Sequence, residues 1–371
     1  MALRFTEEQE ELRAVVRRFL AEKSPSSAVR HWMESDTGYD QALWCQLSEQ
    51  LGLTGLAIPE EYGGAGGGPV ELAIVFEEMG RVLTPSPYFA TVGLAAQALT
   101  ACGDEAARSA WLPKIADGSL TATLAVAEES GIWQPDGIAT LAVAGPDGWE
   151  LTGTKMFVID GAAADLVLVV ARVADGLGVF AVPGDAVGLV RTRLATLDPT
   201  RRLARIELHR VVAQRVDTGT DGDSAVRRIL DLAVVALAAE QVGGAQACLD
   251  AAVDYAKIRV QFDRPIGSFQ AIKHKCADLL LAVEAARSMG ALAAETAESG
   301  TDTLGLATAL AGASCAAGYT QAAKDNVQIH GGIGYTWEHD AHLHLKRAKS
   351  SELLFGGPVR HRARVAELAG I

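Results

Sequence analysis

The sequence predicts an α+β chain in which helices come first, an antiparallel β-domain follows, and a bundle of long helices ends it. Three observations carry this reading. Apolar residues recur at helical spacing near both ends. Between about 120 and 220 the texture changes to short β-type runs divided by Gly, Asp and Pro. After Asp223 three long helical stretches are joined by short loops, the pattern of a bundle. The expected domains are therefore 1–119, 120–222 and 223–371.

In the first of these, Thr6 with Gln9 three residues on makes a capping box, and Leu12, Val15, Val16, Phe19 and Leu20 form one apolar stripe. A glycine-rich loop, GLAIPEEYGGAGGG (55–68), leads into the helical pattern VELAIVFEEMGRVL. The strand-like runs are TATLAVAEE, IATLAVAG, WELTGTK, LVLVVARV, GVFAVPG and LARIELHRV, whose spacing suggests a small antiparallel sandwich or barrel. The bundle helices are expected at about 225–258, 270–298 and 303–328, with shorter ones near 340–350 and 358–369. Within 270–298, Ile272, Cys276, Leu279, Leu280, Val283, Ala286 and Met289 recur at helical spacing. No internal repeat or low-complexity linker is visible.

With 371 residues, 49% hydrophobic and 21% charged, the chain has the balance of a globular protein with ample core. A net charge of −13 argues against nucleic acid as a partner, because phosphate tracking needs a clustered basic surface. A few basic residues still suffice for one small phosphate ligand. The stretch MALRFTEEQE lacks the basic-then-apolar pattern of a signal peptide, so a cytoplasmic protein is expected. The most apolar run, LDLAVVALAAEQVGGA, holds Asp231 and Glu240 and is too short to span a bilayer, so no membrane is expected as a partner. Cys45, Cys102, Cys248, Cys276 and Cys315 are scattered, without a CxxC; they read as core residues, not as a disulfide framework or metal site.

Two loops interrupt the bundle. RVQFDRPIGSFQ (259–270) gathers Arg259, Gln261, Phe262, Arg264 and Gln270 around Pro265 and Gly267. QIHGGIGYTWEHD (328–340) puts Gly331, Gly332 and Gly334 between Gln328-Ile329-His330 and a run of rings and carboxylates. Glycine lets a backbone approach a bulky or anionic ligand, since no Cβ intervenes. Arginine offers a planar fork of donors suited to a diphosphate. Each loop alone also reads as a helix–helix turn with a solvated Arg and a capping Gly. Two such loops in one bundle favour a ligand site.

At these residues the sequence resembles the acyl-CoA dehydrogenase family, and the similarity runs along nearly the whole chain. GLAIPEEYGGAG and the following EEMG are similar to the family's N-terminal helical domain. LTGTKMFVIDGAAADLVLVVAR resembles the strand pair of its middle domain, and Arg259-Val-Gln-Phe, Gln270 and Gln328-Ile-His-Gly-Gly resemble the FAD-binding positions of its C-terminal domain. The resemblance implies a helical domain, a β-barrel and a four-helix bundle. It implies FAD held across a subunit interface, with Arg259, Gln261, Phe262, Gln270, Gln328, Ile329, His330, Gly331 and Gly332 reaching the cofactor of a neighbouring chain, and Phe157, Val158 and Ile159 standing where the family lays Trp-Ile-Thr against the flavin ring. For the remainder of the glycine loop, Trp337 and His339 are expected to pack the start of the next helix and Asp340 to cap it.

Enzymes of this family take a proton from the carbon α to a thioester with a carboxylate base and pass a hydride from the β carbon to the flavin. Most carry the base about twenty residues past the glycine loop; counted from Gly334, that position is Phe355. A minority carry it on the first bundle helix, where VGGAQACLD aligns the position with Ala233. Neither residue can accept a proton. The family's Thr-Glu-Pro flavin loop survives only as AEESGIWQPDG (127–137), while the bundle half of the flavin site is intact. That asymmetry resembles the heteromeric dehydrogenases of actinobacterial steroid side-chain breakdown, in which one of two related subunits supplies the base. Glu240 lies seven residues beyond Ala233, on nearly the same helical face about 10 Å along. It is the best-placed alternative base, or else a buried acid that pairs with an Arg or caps a neighbouring helix. Glu352 and Glu338 are weaker candidates, with solvent-facing and structural readings respectively.

The expected function is therefore α,β-dehydrogenation of an acyl-CoA, fatty or steroidal, by a FAD-dependent subunit of a homo- or hetero-oligomer (a dimer of dimers) that passes electrons to an acceptor such as an electron-transferring flavoprotein. The competing expectations are a flavin monooxygenase on the same fold and a non-catalytic subunit that completes a partner's FAD site.

Overall fold

The structure, a computed structural model, describes residues 5–146, 148–219 and 221–371. Helices occupy the N-terminal part: α1 (Glu7–Lys23), α2 (Ser26–Glu34), α3 (Gln41–Cys45), α4 (Pro69–Val82), α5 (Gln97–Cys102) and α6 (Glu105–Ala116). The central strands are β1 (Ala122–Ala125), β2 (Leu141–Gly145), β3 (Gly148–Ile159), β4 (Leu166–Val173), β5 (Gly176–Pro183), β6 (Leu189–Arg193) and β7 (Leu203–Arg215). The C-terminal region holds α7 (Gly222–Ile258), a two-rung hairpin of β8 (Val260–Gln261) and β9 (Arg264–Pro265), then α8 (Gln270–Ser299), α9 (Leu304–His330), α10 (Ala341–Ser351) and α11 (Gly357–Ala369). These elements cluster into two compact units. One comprises the described residues up to His31, with Pro69–Thr84 and Val234–Ile371; the other comprises Trp32–Gly68 and Pro85–Ala233.

The first unit is helical. The capping box on α1 forms as expected, with Gln9 N donating to Thr6 Oγ1 and Thr6 N to Gln9 Oε1. The α1 helix docks on α4 through charge as well as through Val16 and Leu20. Glu78, 1% exposed, receives Arg17 Nε at 2.9 Å and Nη2 at 2.7 Å, while Glu77 pairs with Arg13 at 2.9 Å and with Arg287 of α8. Burial would raise the Glu77 carboxyl, but Arg287 and Arg13 outweigh it and hold it below its usual range. The α4 and α7 helices touch backbone to backbone. A Cβ on Gly80 would lie 2.1 Å from the Glu240 carbonyl oxygen, and one on Gly243 would lie 1.8 Å from that of Glu77. On α8, Leu279, Val283 and Ala286 face inward as expected, but Leu280 is half exposed and stands off the stripe.

The second unit is built on a barrel-like sheet. Its ring runs β4–β2–β3–β7–β5 and closes because β5 also pairs with β4, with β1 added on β4 and β6 on β7. The expected all-antiparallel sheet is in fact mixed, since β1 runs parallel to β4 in the register Ala122↔Leu166 to Ala125↔Val169. Val167, Val169, Phe180, Val182, Ile206 and Leu208 fill its interior. The β6 strand is an element the sequence did not announce: Val-Arg-Thr-Arg lacks apolar alternation, and its pairing with β7 supplies the ladder instead. The glycine-rich loop at 55–68 folds back on itself. Gly64 packs so tightly that a Cβ would lie 2.0 Å from the Ile58 carbonyl oxygen, and Tyr62 anchors the loop by donating to Glu105 at 2.8 Å.

Candidate functional site

In the helical unit the two bundle loops meet. Where α7 ends, the chain turns through β8 and β9 with Phe262 and Asp263 as the two central residues, both left-handed at φ 52° and 60°. This is the primed two-residue hairpin, which usually takes Asn-Gly. Here it carries a phenylalanine that is 86% exposed, its ring edge-on to Phe269 at 6.1 Å. Arg264 lies over the Phe269 ring at 4.2 Å, and Ile266 N donates to the Arg259 carbonyl at 2.8 Å, so the hairpin is closed and stiff. The side chains of Arg259, Gln261 and Gln270 are exposed. Gln261 Nε2 donates to the Val260 carbonyl, and Gln270 Nε2 lies 2.5 Å from His274 Nε2.

The glycine segment reaches the same place through Ile329, which is 5% exposed and packs with Ala252 and Ala256 of α7 against Tyr255, Ile266, Ile272 and Cys276. Gln328 is exposed on the last turn of α9. His330 turns inward, stacked on Tyr255 at 4.2 Å, donating from Nδ1 to the Asn326 carbonyl at 2.9 Å and facing His339 at 4.2 Å. Burial pushes its imidazole below the ordinary range. Gly331 ends the helix at φ 65°, a conformation that favours glycine. Gly332 is different. Its φ is not left-handed, and outside its own turn of backbone no described atom lies within 4 Å of where its Cβ would be. Nothing within this unit requires a glycine there.

The rest of the segment meets expectation in part: Trp337 and His339 pack against the start of α10, but Asp340 does not cap it. Asp340 stands at the N-cap position of α10 but makes no capping bond with its side chain; it pairs with Arg30 at 2.6 Å instead. His339 Nδ1 accepts from Ala341 N at 3.1 Å and so takes the capping role. Trp337 is 61% exposed, edge-on to His342 at 4.8 Å and covered by Lys346 Nζ at 4.2 Å.

Phe355 is buried at 3% exposed, in a left-handed turn at φ 57° that precedes Gly356 and Gly357. Ala233, buried on α7, belongs to the other unit. Glu240 is 6% exposed, with Oε1 accepting from Arg347 Nη1 at 2.9 Å. On α10, three residues before Arg347, His344 Nδ1 lies 3.0 Å from the hydroxyl of Tyr319. Glu352 is engaged by Lys349 and Thr320, and Glu338 is exposed, its carboxyl lowered by a hydrogen bond from Thr336.

In the sheet unit, Phe157, Val158 and Ile159 end β3. A register shift between Lys155 and Val158 marks a bulge, and Phe157 sits in it at φ 58°, half-buried. The Val158 and Ile159 side chains are both 2% exposed, Val158 within the barrel core, so Phe157 is the side chain of the three left at the surface. Sequence reasoning missed what lies beneath it. Lys155, 0% exposed, donates from Nζ to the Val126 carbonyl at 2.9 Å and to Glu128 Oε1 at 2.8 Å. Glu128 also accepts from the backbone N–H groups of Ala139 at 3.0 Å and Thr140 at 2.8 Å. Burial pushes the Lys155 ammonium down to about 8. Burial would raise the Glu128 carboxyl, but Lys155 holds it below its usual range. The signal was present: Lys155 is four residues from the inward-facing Leu151 on one strand, so its side chain had to point into the barrel.

Within the helical unit, exposed Arg and Gln donors and a bare glycine backbone share one end, a donor set that fits the diphosphate half of a dinucleotide. Comparison with known proteins shows the family. Residues 6–119 match the acyl-CoA dehydrogenase N-terminal domain and residues 220–369 the acyl-CoA dehydrogenase C-terminal domain. Acyl-CoA dehydrogenase IpdE2 of Mycobacterium tuberculosis is 40% identical over 355 residues, covering 95% of this chain and 94% of that protein. Among solved structures, the ChsE4-ChsE5 complex from Mycobacterium tuberculosis superposes with a TM-score of 0.91 at 30% identity, covering 100% of both chains. The Tcur3481-Tcur3483 steroid ACAD superposes with a TM-score of 0.90 at 32% identity, covering 98% of both.

Proposed function

Because the chain belongs to the acyl-CoA dehydrogenase family, we propose that it is one subunit of a two-chain cytoplasmic flavoprotein that desaturates an acyl-CoA thioester, with the partner chain supplying the base. Bound FAD would supply the hydride acceptor. The chain's own residues would bind and orient it, Arg259 and Gln270 by donating to its diphosphate end and Gln328 to Gly332 by laying bare backbone against it. Gly332 carries this reading. A glycine that neither its own backbone angle nor any internal neighbour requires is explained by something outside the unit that comes close.

The missing base supports the two-chain form. Phe355 and Ala233 hold no carboxylate, and Glu240 is committed to Arg347. The name ChsE4-ChsE5 denotes a complex of two chains, and the Tcur3481-Tcur3483 title names a steroid ACAD. On the likeness to the steroid ACAD the acyl group is a steroid-derived one, and the electrons would leave to an acceptor such as an electron-transferring flavoprotein.

Anaerobic titration separates the readings. Purified alone, the chain is expected to give no sustained acyl-CoA oxidation with a dye acceptor. Co-purified with a second family chain that carries a glutamate at the position of Phe355 or Ala233, it is expected to bleach flavin on addition of an acyl-CoA. Sustained turnover by this chain alone would overturn the silent-half assignment.

A further inference from the structure

The geometry points to Lys155 and Glu128 as positioning residues for the ring end of the bound flavin: a buried strut that fixes the 127–140 loop to the Phe157 bulge as one rigid platform. This rests on the proposal that the chain binds FAD.

Three separate segments converge on the strut. Lys155 Nζ ties the end of the first strand through the Val126 carbonyl, and Glu128 gathers the backbone of Ala139 and Thr140. Just before Phe157, Met156 N donates to the Ala127 carbonyl at 2.8 Å. Arg172 clasps the same loop from β4, donating from Nε to the Ile138 carbonyl and from Nη2 to that of Pro135, both at 3.1 Å. The loop and the bulge therefore cannot move independently.

Fold stability alone gives little reason for such a pair. Burying an ammonium and a carboxylate takes both from water, and well-packed apolar residues of similar size usually serve a core as well or better. An apolar pair could not, however, bind one carbonyl and two N–H groups of a loop at once. The strut thus does for backbone geometry what apolar packing would not. The platform it fixes holds Phe157 in a left-handed conformation that a bulky residue disfavours. A half-buried ring on a backbone held in this conformation by a buried charged brace is what the proposal places against the flat flavin.

The test uses the two-chain complex and two probes, FAD and ADP, the latter reporting on the diphosphate end alone. Lys155→Met is expected to weaken FAD binding at least tenfold, to leave ADP binding within about twofold, and to speed hydrogen exchange at Ala139 and Thr140. Glu128→Gln, which keeps an acceptor oxygen for one of those two amides, is expected to fall between Lys155→Met and wild type. Should Lys155→Met fail to fold, Glu128→Gln carries the test with the same probes. Equal loss of FAD and ADP binding would make the pair merely structural and overturn the proposal. So would faster exchange at Ala139 and Thr140 with FAD binding unchanged. Wild-type complex that binds neither probe would instead remove the flavoprotein reading itself.

Discussion

The Glu240 carboxylate lies 2.9 Å from Nη1 of Arg347, with the two side chains only 7% and 3% exposed. The same glutamate presents its carbonyl oxygen to Gly80 at the close crossing of α4 and α7. Through Arg347 it fixes α10, the helix that lies between the glycine segment and the Phe355 turn. Removing one partner strands the other charge in the core, at a cost of about 3–5 kcal/mol. Glu240→Gln and Arg347→Met are each expected to lower the melting temperature by several degrees and to reduce flavin content along with it. Calorimetry and the flavin-to-protein absorbance ratio check this. A Glu240→Gln protein that melts like wild type yet loses turnover by 10²–10⁴-fold would make Glu240 the base after all.

Gly331 and Gly332 should separate structure from function. Gly331 needs its left-handed φ of 65°, so Gly331→Ala is expected to destabilise by about 1 kcal/mol. Gly332 has no such need and open space around its Cβ position. Gly332→Leu is expected to leave the melting temperature unchanged while weakening FAD retention more than tenfold. A drop in stability with flavin binding intact would show that the glycine serves packing.

The pH dependence has a definite sign. Burial holds His330 below the ordinary imidazole value of 6.5, with the Asn326 carbonyl opposing and His339 assisting. His342 is likewise lowered by burial, with Lys346, Arg30 and His339 assisting and Asp340 opposing. The unfolded chain takes up these protons near pH 6.5, whereas the folded chain resists them. Their contribution to stability is therefore complete above pH 6.5 and is lost as pH falls below it. Melting temperature is expected to drop between about pH 7 and pH 5, and His330→Gln should shallow that slope. An identical slope in the variant would remove His330 as a source.

What was legible in the sequence was what depends on near neighbours. The capping box of Thr6 and Gln9, the stripe of Leu279, Val283 and Ala286, and the ends of α8 and α9 follow from spacing within a few turns. What was not legible depends on residues far apart. Asp340 was expected to cap its own helix, but Arg30, 310 positions away, takes its carboxylate. The inward direction of Lys155 followed from its strand, but its partner Glu128, 27 positions away, did not, and β6 had no pattern of its own until β7 paired with it. In the site, the two bundle loops could be picked out from their glycines and arginine, but the apolar cluster of Ile329, Ile266 and Ile272 that joins them could not.

Arg259 offers the most direct reading of cofactor binding. Its side chain is exposed beside a hairpin closed by the bond from Ile266 N to its own carbonyl, so the backbone there does not depend on the guanidinium. Arg259→Ala should therefore leave the melting temperature of the apoprotein unchanged. Losing a charge-assisted bond costs about 1.5–3 kcal/mol, which is roughly a 10- to 100-fold loss of FAD affinity. Arg259→Lys keeps the charge but not the planar fork, and is expected to fall between alanine and wild type. Raising the salt concentration should weaken wild type more than the alanine variant, because the interaction removed is ionic and exposed. Fluorescence titration of the apoprotein complex with FAD measures all three. Alanine and wild type binding FAD with equal affinity would take Arg259 out of the cofactor site and leave the hairpin as a helix-to-helix turn with a solvated arginine.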